Sequence, residues 1–343
     1  MYYIGIDVHS KWSTFVALDP ATGETITFDR VPNTPADIAE QLGSLKSPLK
    51  GMLESGTNAW AMYRTLAPLF EELVVVSPAE LWDRRRDDAK TDKRDCLGMA
   101  TRLYRGDYTP LYIPDETTQD LRNLVRAKIQ ASRHVTKLVN EIGSLVRSWG
   151  HILPGSLLGK QGQAWLEEVQ LPAHSARVLE LWREELGRFL AAEAELEQSI
   201  VEEAARDEVC RQLMTIPNVG AFTALAIRAE VGDIRRFRSV DALIRYCGLA
   251  PRVFQSGEKR RYGRLGRQHN HWLCYVVMLF AQRCGRSRTE TPFRRTYWRV
   301  SLRQQRNSAK VAVARQFVRV FSTMWRRGTV WDAARGQRAP RAA

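Results

Sequence analysis

Cysteine is scarce in this chain of 343 residues: there are five, and no two have the C-x-x-C spacing of a zinc site. The sequence also lacks a long apolar run. The longest one near the C-terminus, residues 276–281, falls far short of the roughly 20 residues that span a bilayer. The opening residues, MYYIGIDVHSK, have no basic-then-apolar signal pattern. These absences argue against a disulfide-stapled mini-protein and against membrane insertion, and they predict a protein of the reducing cytosol.

Acidic residues are rare in the last part of the chain. Residues 210–343 contain 28 of the 52 Lys and Arg but only 6 of the 38 Asp and Glu, a net charge of +22, whereas residues 1–209 carry a net charge of −8. Of these 28 cations, 26 are Arg, whose guanidinium binds phosphate through two donors. A solubilising surface would mix signs and favour Lys. The pattern predicts a nucleic-acid-binding surface, with an anionic membrane surface as the alternative.

Length and composition predict more than one domain, because 44% of 343 residues are apolar and can fill sizeable cores. We predict an α/β domain over residues 1–110 and a helical, coiled-coil-like linker and oligomerisation region over 111–209. A basic, mostly helical domain would follow over 210–330. The basic tail, residues 331–343, is predicted to be disordered.

The first domain alternates strand and helix signals. Three short β-rich runs at residues 2–7, 13–19 and 24–31 are separated by connections short enough for hairpins. Further elements are then predicted along the chain: a helix at 35–45, a strand at 50–54, a helix at 59–69, a strand at 73–77, and helices at 78–86 and 91–103. Three antiparallel strands followed by alternating helix and strand is the ribonuclease-H-like (RuvC-like) order.

Two long helices are predicted in the middle region, over residues 115–149 and 175–206, because apolar residues recur there at three-four spacing. A Gly/Pro-rich break over 151–162 separates them. The pair could form a hairpin or coiled-coil arm that packs on itself or on a second subunit, or an ordinary pair of core helices.

The basic region opens with the segment LMTIPNVGAFTALAIRAEVGDIRRF, residues 213–237. A helix, a Pro-x-x-Gly turn and a second helix predict a helix-hairpin-helix, whose turn directs backbone N–H groups at a phosphate. Asn218 replaces the usual first turn glycine, and asparagine tolerates positive φ. A plain helix-turn-helix core would give the same pattern. The nearby arginines at 228, 235, 236 and 238 favour contact with the DNA backbone.

Four carboxylates of the first domain stand at positions suited to metal binding. Asp7 and Glu54 end predicted strands, and Asp92 and Asp95 lie three apart on one helix face. Such acids can converge on two Mg²⁺ or Mn²⁺ ions, which stabilise both oxygens of a phosphodiester displacement. The opening I-G-I-D is also typical of actin-like ATPases and sugar kinases, but those require a second glycine-rich phosphate loop, which the sequence lacks.

A second candidate site is the segment QSGEKRRYGRLGR, residues 255–267. Ser256 precedes a run of cations that could neutralise a phosphate under attack: Lys259, Arg260, Arg261, Arg264 and Arg267. The same segment could also be a basic loop in which the serine only hydrogen-bonds a phosphate, and the local sequence alone favours that simpler interpretation.

Six blocks in this order carry a resemblance: IGIDVHSK, LESGTNAW, KTDKRD, TIPNVGAFTALAIRAEVGDIRRF, YCGLAPRVFQSGEKRRYGRLG and HNHWLCYVV. Through them the chain resembles, over nearly its full length, the insertion-sequence transposases with an N-terminal DEDD, RuvC-like domain and a C-terminal catalytic-serine domain, which are related to Piv-type DNA invertases. It departs from the family at His269-Asn270 and Leu273-Cys274, where Gly-Asn and Leu-Arg are common.

The resemblance implies that Asp7, Glu54, Asp92 and Asp95 bind Mg²⁺ and that Ser256 is the nucleophile. It also implies double-stranded donor and target DNA, a structured (bridge) guide RNA encoded by the element, a dimer or tetramer, and action at the nucleoid of a prokaryotic cytosol. Because positive charges cluster at these positions, we predict nucleic-acid contacts by Arg235, Arg236, Lys259, Arg260, Arg261, Arg264 and Arg267. Two rival functions use the same features: a metal-dependent nuclease or Holliday-junction resolvase that acts by water, and a nucleic-acid-binding regulator without chemistry.

Overall fold

The structure is a computed structural model that describes residues 1–45, 48–82, 91–256, 259–266 and 268–332. The chain divides into two compact units, Met1–Ile113 and Pro114–Ala343. The predicted helical region and the predicted basic region therefore share one unit. Most of the predicted tail and part of the helix predicted at 78–86 lie outside the described residues. Among the described helices, none is long and apolar enough to cross a membrane.

The first unit is built on a five-stranded sheet in the order β3-β2-β1-β4-β5. Its strands are β1 (Tyr2–Val8), β2 (Trp12–Leu18), β3 (Thr25–Pro32), β4 (Leu49–Glu54) and β5 (Glu72–Val76). The first three strands are antiparallel, and β4 and β5 continue the sheet in parallel with β1. This mixed sheet agrees with the predicted ribonuclease-H-like order.

Alternate strand residues point to opposite faces of the sheet, and apolar residues lie on both. Helices therefore cover both faces. The helices of this unit are α1 (Pro35–Gly43), α2 (Ala59–Leu66), α3 (Pro78–Trp82) and α4 (Asp92–Arg105). One core joins Ile4, Ile6 and Leu53 to buried residues of α1 and α2. The core on the other face contains Met52 together with Cys96 of α4. The α4 face is therefore the one to which strand positions 5, 7, 52 and 54 point.

The second unit is mostly helical. Its helices are α5 (Glu116–Ser148), α6 (Lys160–Glu168), α7 (Ala173–Arg206), α8 (Glu208–Met214), α9 (Ala221–Val231), α10 (Val240–Tyr246), α11 (His271–Arg286), α12 (Pro292–Ser301) and α13 (Arg306–Arg327). The two long helices confirm the predicted ones. Helix α6 begins within the segment that we predicted as a break, so that segment is shorter than expected.

Helices α5 and α7 pack on each other as an antiparallel hairpin. Lys128 of α5 lies 3.4 Å from Glu193 and 3.3 Å from Glu197 of α7, and Trp149 near the other end donates a hydrogen bond to Ser175. Apolar residues of both helices form a shared core. The described residues combine two of the arrangements left open by the sequence: the helices pack on each other as a hairpin, and the first turns of α5 and last turns of α7 also enter the C-terminal core as core helices do.

A larger core unites α8–α13 with the first turns of α5 and the last turns of α7. Nine of the eleven residues of α9 are buried, so this helix lies at its centre. The turn between α8 and α9 places Asn218 at φ +68°, as expected for the residue that replaces glycine there. A helix, a turn and a helix are thus present, and their identity as a helix-hairpin-helix stays a prediction.

The segment containing Ser256 differs from its prediction as a basic loop. Strands β6 (Pro251–Ser256) and β7 (Lys259–Leu265) form an antiparallel two-stranded sheet. Paired strands satisfy backbone groups that a loop would leave to solvent. The arginine-rich composition concealed this pairing, since charged residues are not typical of strands.

Candidate active site

Asp7 and Glu54 lie at the same edge of the sheet. Strands β1 and β4 are parallel neighbours with Ile6 opposite Leu53, so the next residue of each strand is one of these two acids. Both follow the α4-facing positions by two residues, which directs them to the α4 side of the sheet. Each side chain is half-buried. The strand register thus brings together two carboxylates that are 47 positions apart in the sequence.

Helix α4 approaches this edge closely because β1 has a glycine there. A β-carbon at Gly5 would lie 2.6 Å from the carbonyl carbon of Cys96 and 2.9 Å from its Cα, where ordinary contacts begin near 3.4 Å. Helix α4 starts at Asp92, with Thr91 as its N-cap accepting a hydrogen bond from the Arg94 backbone N–H. The close packing therefore places the first turn of α4 over the end of β1.

Three side chains converge at this point. Nε2 of His9 lies 3.3 Å from Oδ2 of Asp7 and 3.4 Å from Oδ2 of Asp92. One ligand atom from each residue lies within 4.8 Å of the other two. Two of the four predicted acids, Asp7 and Asp92, therefore lie on either side of His9, a histidine that was not among the predicted site residues.

The charges of the acids also reach the buried Cys96 thiol. Burial is the main reason that the pKa of this thiol is raised well above its ordinary value, and the Asp7 charge raises it further, with smaller effects of Asp92 and Asp95. The thiol lies 3.3 Å from the Thr14 carbonyl oxygen, to which it donates. Cys96 is therefore a protonated packing residue beneath the acids, and Asp95 belongs to the same electrostatic neighbourhood.

The donor set fits a divalent cation. Carboxylate oxygens are the ligands of Mg²⁺ and Mn²⁺, and imidazole nitrogen is accepted by Mn²⁺ and later transition metals. The His9 nitrogen is spaced from the Asp7 and Asp92 oxygens like a neighbouring ligand around one ion, since bonds of about 2.0–2.3 Å place adjacent ligands about 3–3.5 Å apart. The ligand atoms of the two acids lie within 4.8 Å of each other. Glu54 and Asp95 border the same edge and could supply further oxygens.

Ser256, the predicted nucleophile, lies in the second unit. It is the last residue of β6 and pairs across the hairpin with Lys259, while Gln255 pairs with Arg260 and Phe254 with Arg261. Arg264 lies on β7 as well, and Arg267 is outside the described residues. The hairpin register therefore sets the serine backbone opposite the start of a cationic strand.

Two other predicted contacts, Arg235 and Arg236, have different surroundings. The Arg235 side chain is 88% exposed and lies 3.6 Å from Asp233. Arg236 donates through Nε to the Val231 carbonyl oxygen at 2.9 Å, and its guanidinium lies 4.1 Å from the centre of the Phe237 ring. Arg235 is therefore accessible to a phosphate, whereas Arg236 stabilises the turn that follows α9.

A buried carboxylate that the sequence analysis also missed organises the start of α11. Glu230 has an exposure of 1% and receives two hydrogen bonds from Arg126, at 2.6 and 2.9 Å. Asn270 donates to it at 2.8 Å, donates to Tyr246 at 2.9 Å and caps α11 by accepting from the Leu273 N–H. Asn270 thus has a structural role here, even though the residue before it, His269, differs from the glycine common in the family.

Two family models match the chain. Residues 4–149 match the model DEDD_Tnp_IS110, described as "Transposase", and residues 210–298 match Transposase_20, described as "Transposase IS116/IS110/IS902 family". The first match contains all four predicted acids and His9, and the second contains Ser256. The first match covers nearly all of the first unit and continues through α5 of the second unit, whereas the second match lies within the second unit.

Curated relatives give the same picture. The chain is 27% identical over 263 residues to "Putative transposase y4qE" of Sinorhizobium fredii, an alignment that covers 75% of this chain and 65% of that protein. It is 26% identical to "Transposase for insertion sequence element IS1111A" of Coxiella burnetii, covering 76% and 71%, and 28% identical to "Probable family 20 transposase" of Pseudomonas aeruginosa, covering 56% of each. The chain thus spans less than two thirds of the first and third of these relatives.

Proposed function

We propose that the chain is a transposase of the IS110/IS116 family, an enzyme that cuts and rejoins DNA strands. The observation that carries this proposal is the convergence of Asp7 and Asp92 at the end of β1, beside Glu54 on the neighbouring strand. An arrangement of acids on a ribonuclease-H-like sheet suits phosphodiester chemistry, and the basic second unit suits a polyanionic substrate.

In this proposal Asp7, Glu54, Asp92 and Asp95 hold divalent cations, Mg²⁺ or Mn²⁺. When bound, such ions stabilise the attacking and the leaving oxygen of a phosphodiester displacement. The protein's own contribution is rigidity, because β1, β4 and α4 are packed elements of one core and need no reorganisation to present their carboxylates.

Ser256 is the proposed nucleophile. Its hydroxyl oxygen would bond to the scissile phosphorus and lose its proton, while the phosphorus–oxygen bond to the departing strand breaks and that oxygen takes up a proton. The resulting phosphoserine keeps the energy of the broken bond for rejoining. The paired Lys259 and the arginines of β7 supply positive charge close to this backbone position.

We further propose a structured guide RNA and a homo-oligomer, dimer or tetramer, as the partners of the reaction. The support is the family resemblance together with the net charge of +22 over residues 210–343, a surplus large enough for more than one nucleic-acid strand. Joining donor and target strands needs several nucleophiles, which an oligomer would provide.

The test is a covalent-adduct assay. The protein is incubated with Mg²⁺, end-labelled duplex containing the DNA that flanks its gene, and a transcript of the adjacent non-coding stretch. We expect an adduct on denaturing electrophoresis from the wild type and from a Ser308→Ala control at an exposed position of α13, but not from Ser256→Ala or Asp92→Asn. Cleavage without any adduct would point to a nuclease acting by water, and binding without cleavage to a regulator.

A further inference from the structure

The Nε2 atom of His9 has an unusual environment. It is buried and lies 3.3 and 3.4 Å from carboxylate oxygens of Asp7 and Asp92, yet it has no hydrogen-bonding geometry with any residue that the structure describes. Groups that bind each other align a donor with an acceptor. Here the nitrogen and the two oxygens are spaced as neighbours around a common point instead, which is the arrangement of ligands around an ion.

Contacts of the surrounding hairpin hold His9 in this position. Its ring lies against the Trp12 ring with centroids 3.8 Å apart. Its backbone N–H donates to the Trp12 carbonyl oxygen at 3.0 Å, and its own carbonyl accepts from the Asn33 side chain at 2.8 Å. Ser13 in turn donates to Asn33 at 2.6 Å. The imidazole is thus oriented before any ion arrives, which is how metal-binding histidines are supported.

We propose that His9 is a nitrogen ligand of the cation held by Asp7 and Asp92. This inference rests on the proposed function, because it concerns the same metal site. A carboxylate-only set suits Mg²⁺, whereas an imidazole nitrogen strengthens binding of Mn²⁺ much more than binding of Mg²⁺. The site would therefore prefer Mn²⁺, and His9 would be the residue that sets this preference.

Pulsed EPR of the Mn²⁺-loaded full-length protein tests the ligand directly. A bound imidazole gives a ¹⁴N modulation that changes to the ¹⁵N pattern when the protein is produced with ¹⁵N-histidine, so this test needs no variant and no folding control. We expect the isotope-dependent modulation. Mn²⁺ bound without any histidine nitrogen signal would overturn the proposal.

A pair of variants assigns the signal to one residue. His9→Gln should abolish the nitrogen modulation and weaken Mn²⁺ binding by about tenfold or more, with a smaller change in Mg²⁺ binding. His174→Gln, on the exposed surface of α7, should change neither. Equal losses of Mn²⁺ and Mg²⁺ affinity would also overturn the proposal, because they would indicate a general distortion of the site.

Asp7→Asn separates this inference from the proposed metal site itself. If Asp7→Asn abolishes Mn²⁺ binding while His9→Gln leaves affinity and spectrum unchanged, the acids hold the metal and only the histidine assignment is wrong. If Asp7→Asn leaves Mn²⁺ binding unchanged as well, the metal site proposed at this edge of the sheet is itself wrong.

Discussion

The substitution Gly5→Ala tests whether the contact between β1 and α4 sets the active-site geometry. The added β-carbon would lie 2.6 Å from the Cys96 carbonyl carbon and nearer still to its oxygen, whereas an ordinary contact requires about 3.4 Å. Because both partners are backbone, no side chain can rotate away. The strand and the helix must therefore separate by about 1 Å, and the first turn of α4 moves with them.

The expected consequence is a loss of function larger than the loss of stability. A displacement of about 1 Å between catalytic groups can cost roughly 10²-fold in rate, so Mg²⁺-dependent strand cleavage should fall by about that factor. Overpacking costs about 1–3 kcal/mol, which a thermal or urea unfolding curve measures separately. Mn²⁺ affinity should fall as well, because Asp92 retreats from Asp7.

Gly98→Ala is the matched control, since it lies on the same helix and a β-carbon there meets nothing within 4 Å. It should retain full activity and gain about 0.5–1 kcal/mol from the higher helix propensity of alanine. Wild-type cleavage and Mn²⁺ affinity in a folded Gly5→Ala protein would refute the argument that this close approach positions the acids.

Three further outcomes follow from contacts in the second unit. Asn270→Ala should cost about 2–3 kcal/mol in urea unfolding, because it removes the α11 cap and one donor to buried Glu230, and an unchanged midpoint would contradict the network. Asp115→Ala should cost about 1 kcal/mol at pH 7, because Asp115 caps α5. The hydrogen bond from the Thr118 N–H lowers the Asp115 pKa below its ordinary value, so the stabilisation that depends on the charge is fully present above the ordinary pKa and is lost as the pH falls through the lowered one; a stability difference that did not shrink on acidification would argue against a charged cap. DNA binding by the full chain should weaken steeply with salt, with a log–log slope of about −0.9 per phosphate contact, and tight binding by Met1–Ile113 alone would contradict the charge argument.

The elements with strong local patterns were predictable from the sequence. The five strands of the first unit show β-rich runs, and α5 and α7 show a three-four spacing of apolar residues over more than 30 positions. Because these elements were predictable, so were the positions of the four candidate metal-binding acids, which lie at the ends of two strands and on one face of a helix. Hairpin β6–β7 was missed because the arginines and lysine that fill β7 give little β signal.

The two missed polar residues show why the rest could not be predicted. His9 lies in a tight connection, and its sequence neighbours give no indication that Asp92, 83 positions later, approaches it. Glu230 is the only acid of α9, a mostly apolar helix whose other charge is Arg228, and it could have been noticed for that reason. Its partners, however, are 104 and 40 positions away, so only the packing of the helices identifies them.

Helix α5 is long and unbroken, so a small change of its tilt at one end would become a larger displacement at the other end of its hairpin with α7. Up to Ile129 the helix belongs to the large C-terminal core, and from Val135 onward it belongs to the hairpin core, so one unbroken helix of 33 residues runs through both. At 1.5 Å per residue that helix is about 50 Å long, the length of about 15 base pairs of duplex at 3.4 Å each. A tilt of only 5° where the helix leaves the C-terminal core, after Ile129, would move its far end, about 28 Å away, by about 2.5 Å.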